Sequence, residues 1–221
     1  MQQIDLSHRQ VYGSPRIHAV LKARGIPCGR KRVVRLMQTL GFSAQTKKRR
    51  KPTTRSAAGG RFARNHLNRE FAASLPNQKW LTDTKAVETA EGWLYLAAIL
   101  DLFSRLLVGW AMAATEDEHL VELALRMALA TRRPPSGLVH HSDRGSEFTS
   151  DRDLPVLREA GIEGSRSRTG DCDDNAAMEA FLATLTKECT DRVRFQTRQE
   201  ARSAICEYLE CFSNPVRFHS T

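Results

Sequence analysis

Acid is nearly missing from the front of this chain: residues 1 to 65 hold one carboxylate, Asp5, against sixteen lysines and arginines. A segment so short of counter-charge cannot neutralise itself, and this points outward to a polyanion, with nucleic acid the leading class. Long apolar stretches are missing too. The run Leu94 to Leu100 falls far below the ~20 residues a membrane-spanning helix needs, and the amino terminus has no signal-peptide core, so a cytoplasmic protein is expected. Cysteine is sparse and odd in number. Cys28, Cys172, Cys189, Cys206 and Cys211 include no pair with the two-residue spacing of a zinc knuckle or redox site, and reduced thiols are expected.

What is present suits a core domain with a small accessory unit: 221 residues, 41% hydrophobic and 27% charged. The net charge of +9 hides an asymmetry. The first 65 residues carry sixteen cations and one acid, a net of +15, leaving 18 cations against 24 acids, or −6, for the rest. The front is expected to hold the polyanion and the remainder to carry out metal chemistry.

Periodicity predicts two short helices at the front. Ile17, Val20 and Leu21 recur at helical spacing after Pro15, and Gly25 with Pro27 ends that run. A second helix from about Arg30 to Leu40 places Val33, Val34, Met37 and Leu40 on an apolar stripe, sets Arg30, Lys31, Arg32 and Arg35 mostly elsewhere, and closes at Gly41. The pair matches a helix-turn-helix unit at residues 1–45, although any small amphipathic helix pair would read the same way. Periodicity then disappears over a basic linker, 46–74. Its pentad Lys47, Lys48, Arg49, Arg50 and Lys51 either lies on phosphates or is a solvated charge run.

A globular region over 75–213 follows. Lys79 to Val87, Leu94 to Asp101 and Arg105 to Ala111 predict three antiparallel strands, and Thr115 with Glu118 predicts a capping box opening a helix that Pro134-Pro135 ends. A strand from Gly137 to His141, a helix over Asp151 to Ala160 and a brief strand near Ile162 complete the order βββαβαβ. A polar loop spans Gly164 to Asp174. Two helices follow, from about Asn175 to Cys189 and from the capping box Thr197…Glu200 to Asn214-Pro215, and the fold class is a mixed α/β sandwich.

In that frame Asp83 sits in a strand, Asp143 follows the strand residues His140-His141-Ser142, and Glu179 rides a helix. In-line attack on a phosphodiester places charge on both the attacking and leaving oxygens, which a pair of divalent ions ~3.5–4 Å apart neutralises. Mg²⁺ prefers hard oxygen ligands, and two aspartates with one glutamate suit it. Each acid alone also has an ordinary reading, as a turn, a cap or a complement to a helix dipole.

The stretches YGSPRIHAVLKARG, RKRVVRLM, PNQKWLTD, GWLYLAAILDLFSRLLVGWAM, LVHHSDRGSEF, GDCDDNAAMEAFLATL and FSNPVRFHS cover most of Val11 to Ser220. In family order, and with 35 residues between Asp143 and Glu179, they resemble the insertion-sequence transposases of the IS-three type. These belong with retroviral integrases to the D…D…E superfamily of ribonuclease-H-like fold. The resemblance implies that Asp83, Asp143 and Glu179 form a catalytic triad holding Mg²⁺ (or Mn²⁺), two ions, for cleavage at element ends and attack of the freed 3′-hydroxyl on DNA. It also matches Arg144, Gly145 and Ser146 after the second aspartate, Asn175 four residues before the glutamate, and Asp101. Asn175 reads equally as a helix cap, Asp101 more simply as a hairpin-turn residue, and His140 and His141 as strand packing rather than zinc ligands.

The chain also departs from the family pattern. The basic residue usual seven positions after the glutamate is Thr186 here, with Lys187 one residue later, a rotation of about 100° on a helix. After Asp83 the usual Ile-Thr-Tyr is Thr84-Lys85-Ala86, and residues 214–221 are expected to be a shortened tail. The resemblance further implies DNA at element ends and target, a homo-oligomer on that DNA, fusion with or partnering by an upstream reading-frame product, and a bacterial, nucleoid-associated location. A DNA-binding remnant without turnover and a nuclease that cuts without joining are the competing readings.

Overall fold

The computed structural model describes residues 2–42, 67, 72–142, 155–166 and 175–217. It divides into two compact units, Met1–Lys51 with Glu207–Thr221, and Pro52–Cys206.

The described front of the first unit forms the helices α1 (Gln2–Ser7), α2 (Ser14–Ala23) and α3 (Arg30–Thr39). Pro15 occupies the first turn of α2, where its missing N–H costs nothing. Both expected glycine stops are present. Gly25 and Gly41 each take φ +71, and the closing pairs Gly25 N to Lys22 O with Ile26 N to Leu21 O, and Gly41 N to Gln38 O with Phe42 N to Met37 O, satisfy carbonyls that the helix ends would leave orphaned. Ile17, Val20, Leu21, Val33 and Met37 are buried. The expected apolar stripe of α3 is narrower than its sequence suggests, because Val34 and Leu40 are exposed.

Helix α1 was not expected, and neither was its company. His8 stacks on Tyr12 with ring centroids 4.3 Å apart and meets Phe212 edge-on at 6.4 Å. Arg9 donates to Glu207 at 3.2 Å and lies over the Tyr208 ring. Asp5 is buried beside them. Desolvation raises its pKa, partly offset by the nearby His8.

The second unit is built on five strands, β1 (Lys79–Thr89), β2 (Gly92–Asp101), β3 (Leu107–Ala113), β4 (Val139–Ser142) and β5 (Glu163–Arg166), in the order β3-β2-β1-β4-β5. The first three pair antiparallel, whereas β4 joins β1, and β5 joins β4, in parallel. This is the expected βββαβαβ order, with α4 (Glu118–Arg132) and α5 (Pro155–Glu159) as the interleaved helices. α4 lies against β3 at Gly109, where an added Cβ would stand 2.7 Å from Ala128 Cβ. The core beneath it includes Trp80, Ile99, Val108, Leu120, Val121, Leu125 and Leu138.

Several elements differ locally from what their sequence suggests. The cap of α4 is Asp117, whose carboxylate accepts from Leu120 N at 3.0 Å while Thr115 Oγ1 donates to that carboxylate at 2.9 Å. A carboxylate is the stronger acceptor for a helix N-terminus, so it displaces the threonine from that role. β3 begins at Leu107 because Arg105 turns through φ +59, and β5 runs to Arg166, so the polar loop starts later than Gly164. The Thr197 box is present at α7 (Arg198–Glu207): Glu200 N donates to Thr197 Oγ1 at 3.0 Å and the Glu200 carboxylate accepts from Gln196 N at 2.7 Å. Beyond α7 the chain continues as a π-helical turn, Tyr208–Ser213, and its residues from Glu207 onward belong to the first unit.

Candidate active site

β1 is a central strand. Val, Thr and aromatic residues suit the half-buried pleat, and Trp80, Leu81 and Thr82 are buried between β2 and β4. Asp83 follows them and is partly buried, with Oδ1 accepting from Thr84 N at 2.8 Å.

Three elements are tied together at Thr82. Its Cα pairs with Ser142 in the parallel ladder, its Oγ1 is 2.6 Å from His140 Nε2, and its carbonyl accepts from Asn175 Nδ2 at 3.3 Å. Ser142 is the last described residue of β4, and Asn175 immediately precedes α6 (Ala176–Glu188). Asn175 therefore does not cap its helix through its side chain. It is 2% exposed, and its Oδ1 has no hydrogen-bond partner among the described residues.

Glu179 lies one helical turn beyond Asn175, about 6 Å along the axis, and is exposed in the first turn of α6 while Met178, Phe181, Leu182 and Leu185 face the core. A negative charge there complements the helix N-terminus. Asp143 and Arg144, with Gly145 and Ser146, lie outside the described residues, as do Lys47, Lys48, Arg49, Arg50 and Lys51. On α6, Thr186 turns its hydroxyl back to Leu182 O at 2.8 Å, and Lys187 is partly buried.

Both histidines of β4 are structural. His140 is fully enclosed, and burial, helped by neighbouring His141, pushes its pKa down to about 4, so it stays neutral at pH 7. His141 Nδ1 lies 2.9 Å from Ser165 Oγ and joins β4 to β5. Asp101 has the hairpin role: it accepts from Asn77 N at 2.9 Å, Ser104 N at 2.8 Å and Ser104 Oγ at 2.6 Å. Thr82 was not singled out from the sequence. No local pattern marks it, because its role depends on partners 58 and 93 residues away.

In the first unit Arg30, Lys31, Arg32 and Arg35 are all exposed on α3. Among the described residues none pairs with a carboxylate, in contrast to Arg9 with Glu207 and Arg126 with Glu122.

Two families of integrase core domain match residues 73–172 and 179–221, and an HTH-like domain matches residues 1–50. The chain is 42% identical to the insertion element IS600 uncharacterized 31 kDa protein of Shigella sonnei, over 99% of this chain and 81% of that one. It is 37% identical to transposase InsF for insertion sequence IS3A of Escherichia coli, over 96% of this chain and 74% of that protein. The chain belongs to the IS3-family transposases.

Membership accounts for the order of the two units, an HTH-like segment followed by an integrase core. A simian T-cell lymphotropic virus intasome, solved in complex with PP2A regulatory subunit B56 gamma, superposes with a TM-score of 0.55 over 94% of this chain and 70% of that one. At 15% identity it speaks to the fold alone, which is the ribonuclease-H-like mixed sheet. Among the described residues, no helix of this IS3-family chain is long and apolar enough to cross a membrane.

Proposed function

We propose that this chain is a metal-dependent polynucleotidyl transferase that cleaves DNA at element ends and joins the freed 3′-hydroxyl to target DNA. Asp83, Asp143 and Glu179 are its catalytic and metal-binding residues. The observation that carries this is the junction at Thr82. Asp83 is the next residue on β1, Asp143 comes next in sequence after Thr82's ladder partner Ser142, and the side chain bonded to the Thr82 carbonyl starts the helix bearing Glu179.

The donors fit a hard divalent ion. The carboxylates and Asn175 Oδ1, which has no hydrogen-bond partner among the described residues, are all oxygen, which suits Mg²⁺ or Mn²⁺ over zinc. Asp83, Asp143 and Glu179 would hold two such ions, which when bound polarise the scissile phosphate and favour deprotonation of the attacking oxygen. The protein's own part is positional. The buried Asn175 amide anchors the start of α6 to β1, so that Glu179 and Asp83 keep a fixed spacing, and the neutral His140 holds β4 to β1 without adding positive charge beside the acids.

Water attacks the phosphorus at the element end, the P–O3′ bond breaks and the 3′-oxygen leaves as a hydroxyl. That hydroxyl then attacks a target phosphodiester in the same way, so bonds made and broken balance in both steps. Residues 1–45 form the DNA-binding unit and 46–74 a basic linker, ahead of a core at 75–213 and a tail at 214–221. Arg30, Lys31, Arg32, Arg35, the pentad Lys47–Lys51, Arg144 and Lys187 are proposed DNA contacts, whereas Asn175, expected among them, is enclosed and holds α6 to β1 instead. The working species is a homo-oligomer on DNA, associated with the bacterial nucleoid in the cytoplasm and fused to or partnered by an upstream reading-frame product.

Full-chain Asp83→Asn and Glu179→Gln provide the test, with pre-nicked duplexes carrying the flanking inverted repeats as substrate. Joining should fall at least ~100-fold, with duplex binding and melting temperature unchanged. Joining that survives both substitutions sinks the assignment. Binding without joining by the wild type would instead support the remnant reading.

A further inference from the structure

Helix α3 offers more than charge. Val33 and Met37 are its only buried residues, and on a helix turning 100° per residue Arg35 lies about 160° from both, at the centre of the outward face. Lys31, Arg32 and Gln38 fall within about 60° of Arg35 on the same arc, with Arg32 on the side opposite Gln38, whereas Arg30 lies about 140° away at the edge of the buried stripe. All five are exposed.

The chemistry of this arc is selective. The Gln38 amide has no hydrogen-bond partner among the described residues, although it could have capped or paired locally. Its neighbour Thr39 donates its hydroxyl proton to Arg35 O at 3.1 Å, which removes it as an outward donor. Arginine presents a fork matching guanine O6 and N7, and glutamine presents a donor and an acceptor matching adenine N7 and N6. Lys31 is a point charge on a flexible stem and suits a phosphate, and Arg32, on the side of Arg35 away from Gln38, and Arg30, at the edge of the face, are placed for the backbone that borders the groove. Arg35 and Gln38 stand three residues apart, about 4.5 Å along the axis, close to one base-pair step. The ten-residue helix is about 15 Å long, and a helix of this kind fits the major groove.

We propose that Arg35 and Gln38 are the specificity-determining pair of this protein. Arg35 reads a guanine and Gln38 an adenine at neighbouring positions of the element end, while Arg30, Lys31 and Arg32 hold the backbone. The proposal rests on the reading of the first unit as DNA-binding, but not on the catalytic assignment.

The test is selection of bound duplexes from a pool with a randomised 20-base-pair centre, by the full-length protein and three single variants. Wild type should enrich a guanine and an adenine within two base pairs of each other. Gln38→Ala should erase the adenine preference, a loss of discrimination of about 5- to 150-fold at that position, without altering the salt dependence. Gln38→Glu should replace adenine by cytosine, whose N4 amine a carboxylate accepts, an outcome that a merely structural role would not produce. Arg32→Ala should leave the selected sequence intact while lowering the slope of log affinity against log salt by about 1. Retention of the wild-type preference by both Gln38 variants overturns the proposal, as does enrichment of no sequence by the wild type. Selection of the expected pair by a protein that does not join DNA leaves this assignment standing and removes the catalytic one.

Discussion

Thr82 shows how much one side chain of modest chemistry can hold. Its hydroxyl meets His140, its carbonyl meets Asn175 and its backbone sits in the ladder beside Ser142. Because the histidine is enclosed, protonation would place a charge where water cannot reach it. Its folded pKa of about 4 lies below the ordinary 6.5 of an exposed ring. Between those values the unfolded chain binds a proton that the folded chain does not, so this group's contribution is fully present above pH 6.5 and declines as pH falls toward 4. The full span corresponds to roughly 3 kcal/mol. Urea midpoints of wild type and His140→Gln, measured from pH 7 to 4, should converge over that window, since glutamine has no proton to gain. A constant offset between the two curves would mean that the ring is not held neutral by burial.

Elements were legible in the sequence where their causes are local. Pro15, Gly25 and Gly41 bound α2 and α3 as expected, because a proline at a first turn and a glycine at positive φ act within a few residues. Strand composition likewise marked β1 to β4. What escaped notice is set by distant contacts. α1 has little periodicity of its own and lies among His8, Tyr12 and Phe212, whose pairing joins the two ends of the chain. Asn175 looks like a cap in sequence, and only the fold brings the Thr82 carbonyl to its amide. The acids Asp83 and Glu179 were visible as candidates because their strand and helix were, but nothing in their spacing showed the tie between those elements. The contact of α4 with β3 is equally hidden. Gly109 reads as a weak point in a strand, yet it is where the helix backbone comes closest, and an added methyl would meet Ala128 N at 2.9 Å. Gly109→Ala should therefore destabilise the core unit by about 1–3 kcal/mol through overpacking, read as a lower denaturant midpoint with an unchanged slope. An unaltered midpoint would show that α4 can withdraw without cost.

Across the whole molecule the charges are separated along the chain, +15 on the first 65 residues and −6 on the remainder. A uniformly basic protein would coat DNA without orientation, whereas this distribution favours approach by the front segment and leaves the acids of the core to hold cations. Counter-ion release makes the arrangement measurable, because each phosphate neutralised adds about 0.9 to the slope of log affinity against log salt. The pentad Lys47–Lys51 is the largest block of like charge in that segment and is the place to divide phosphate contact from mere solvation. Replacing its five cations by glutamine should reduce the slope by about 4.5 if all of them lie on phosphates, with no change in melting temperature, since charge runs of this kind are not core-forming. Titrations of a labelled duplex between 50 and 300 mM salt (about 13 to 6 Å of Debye screening) would read it directly. A slope equal to that of the wild type would mark the pentad as a solvated linker and leave the exposed cations of α3 as the principal electrostatic hold on DNA.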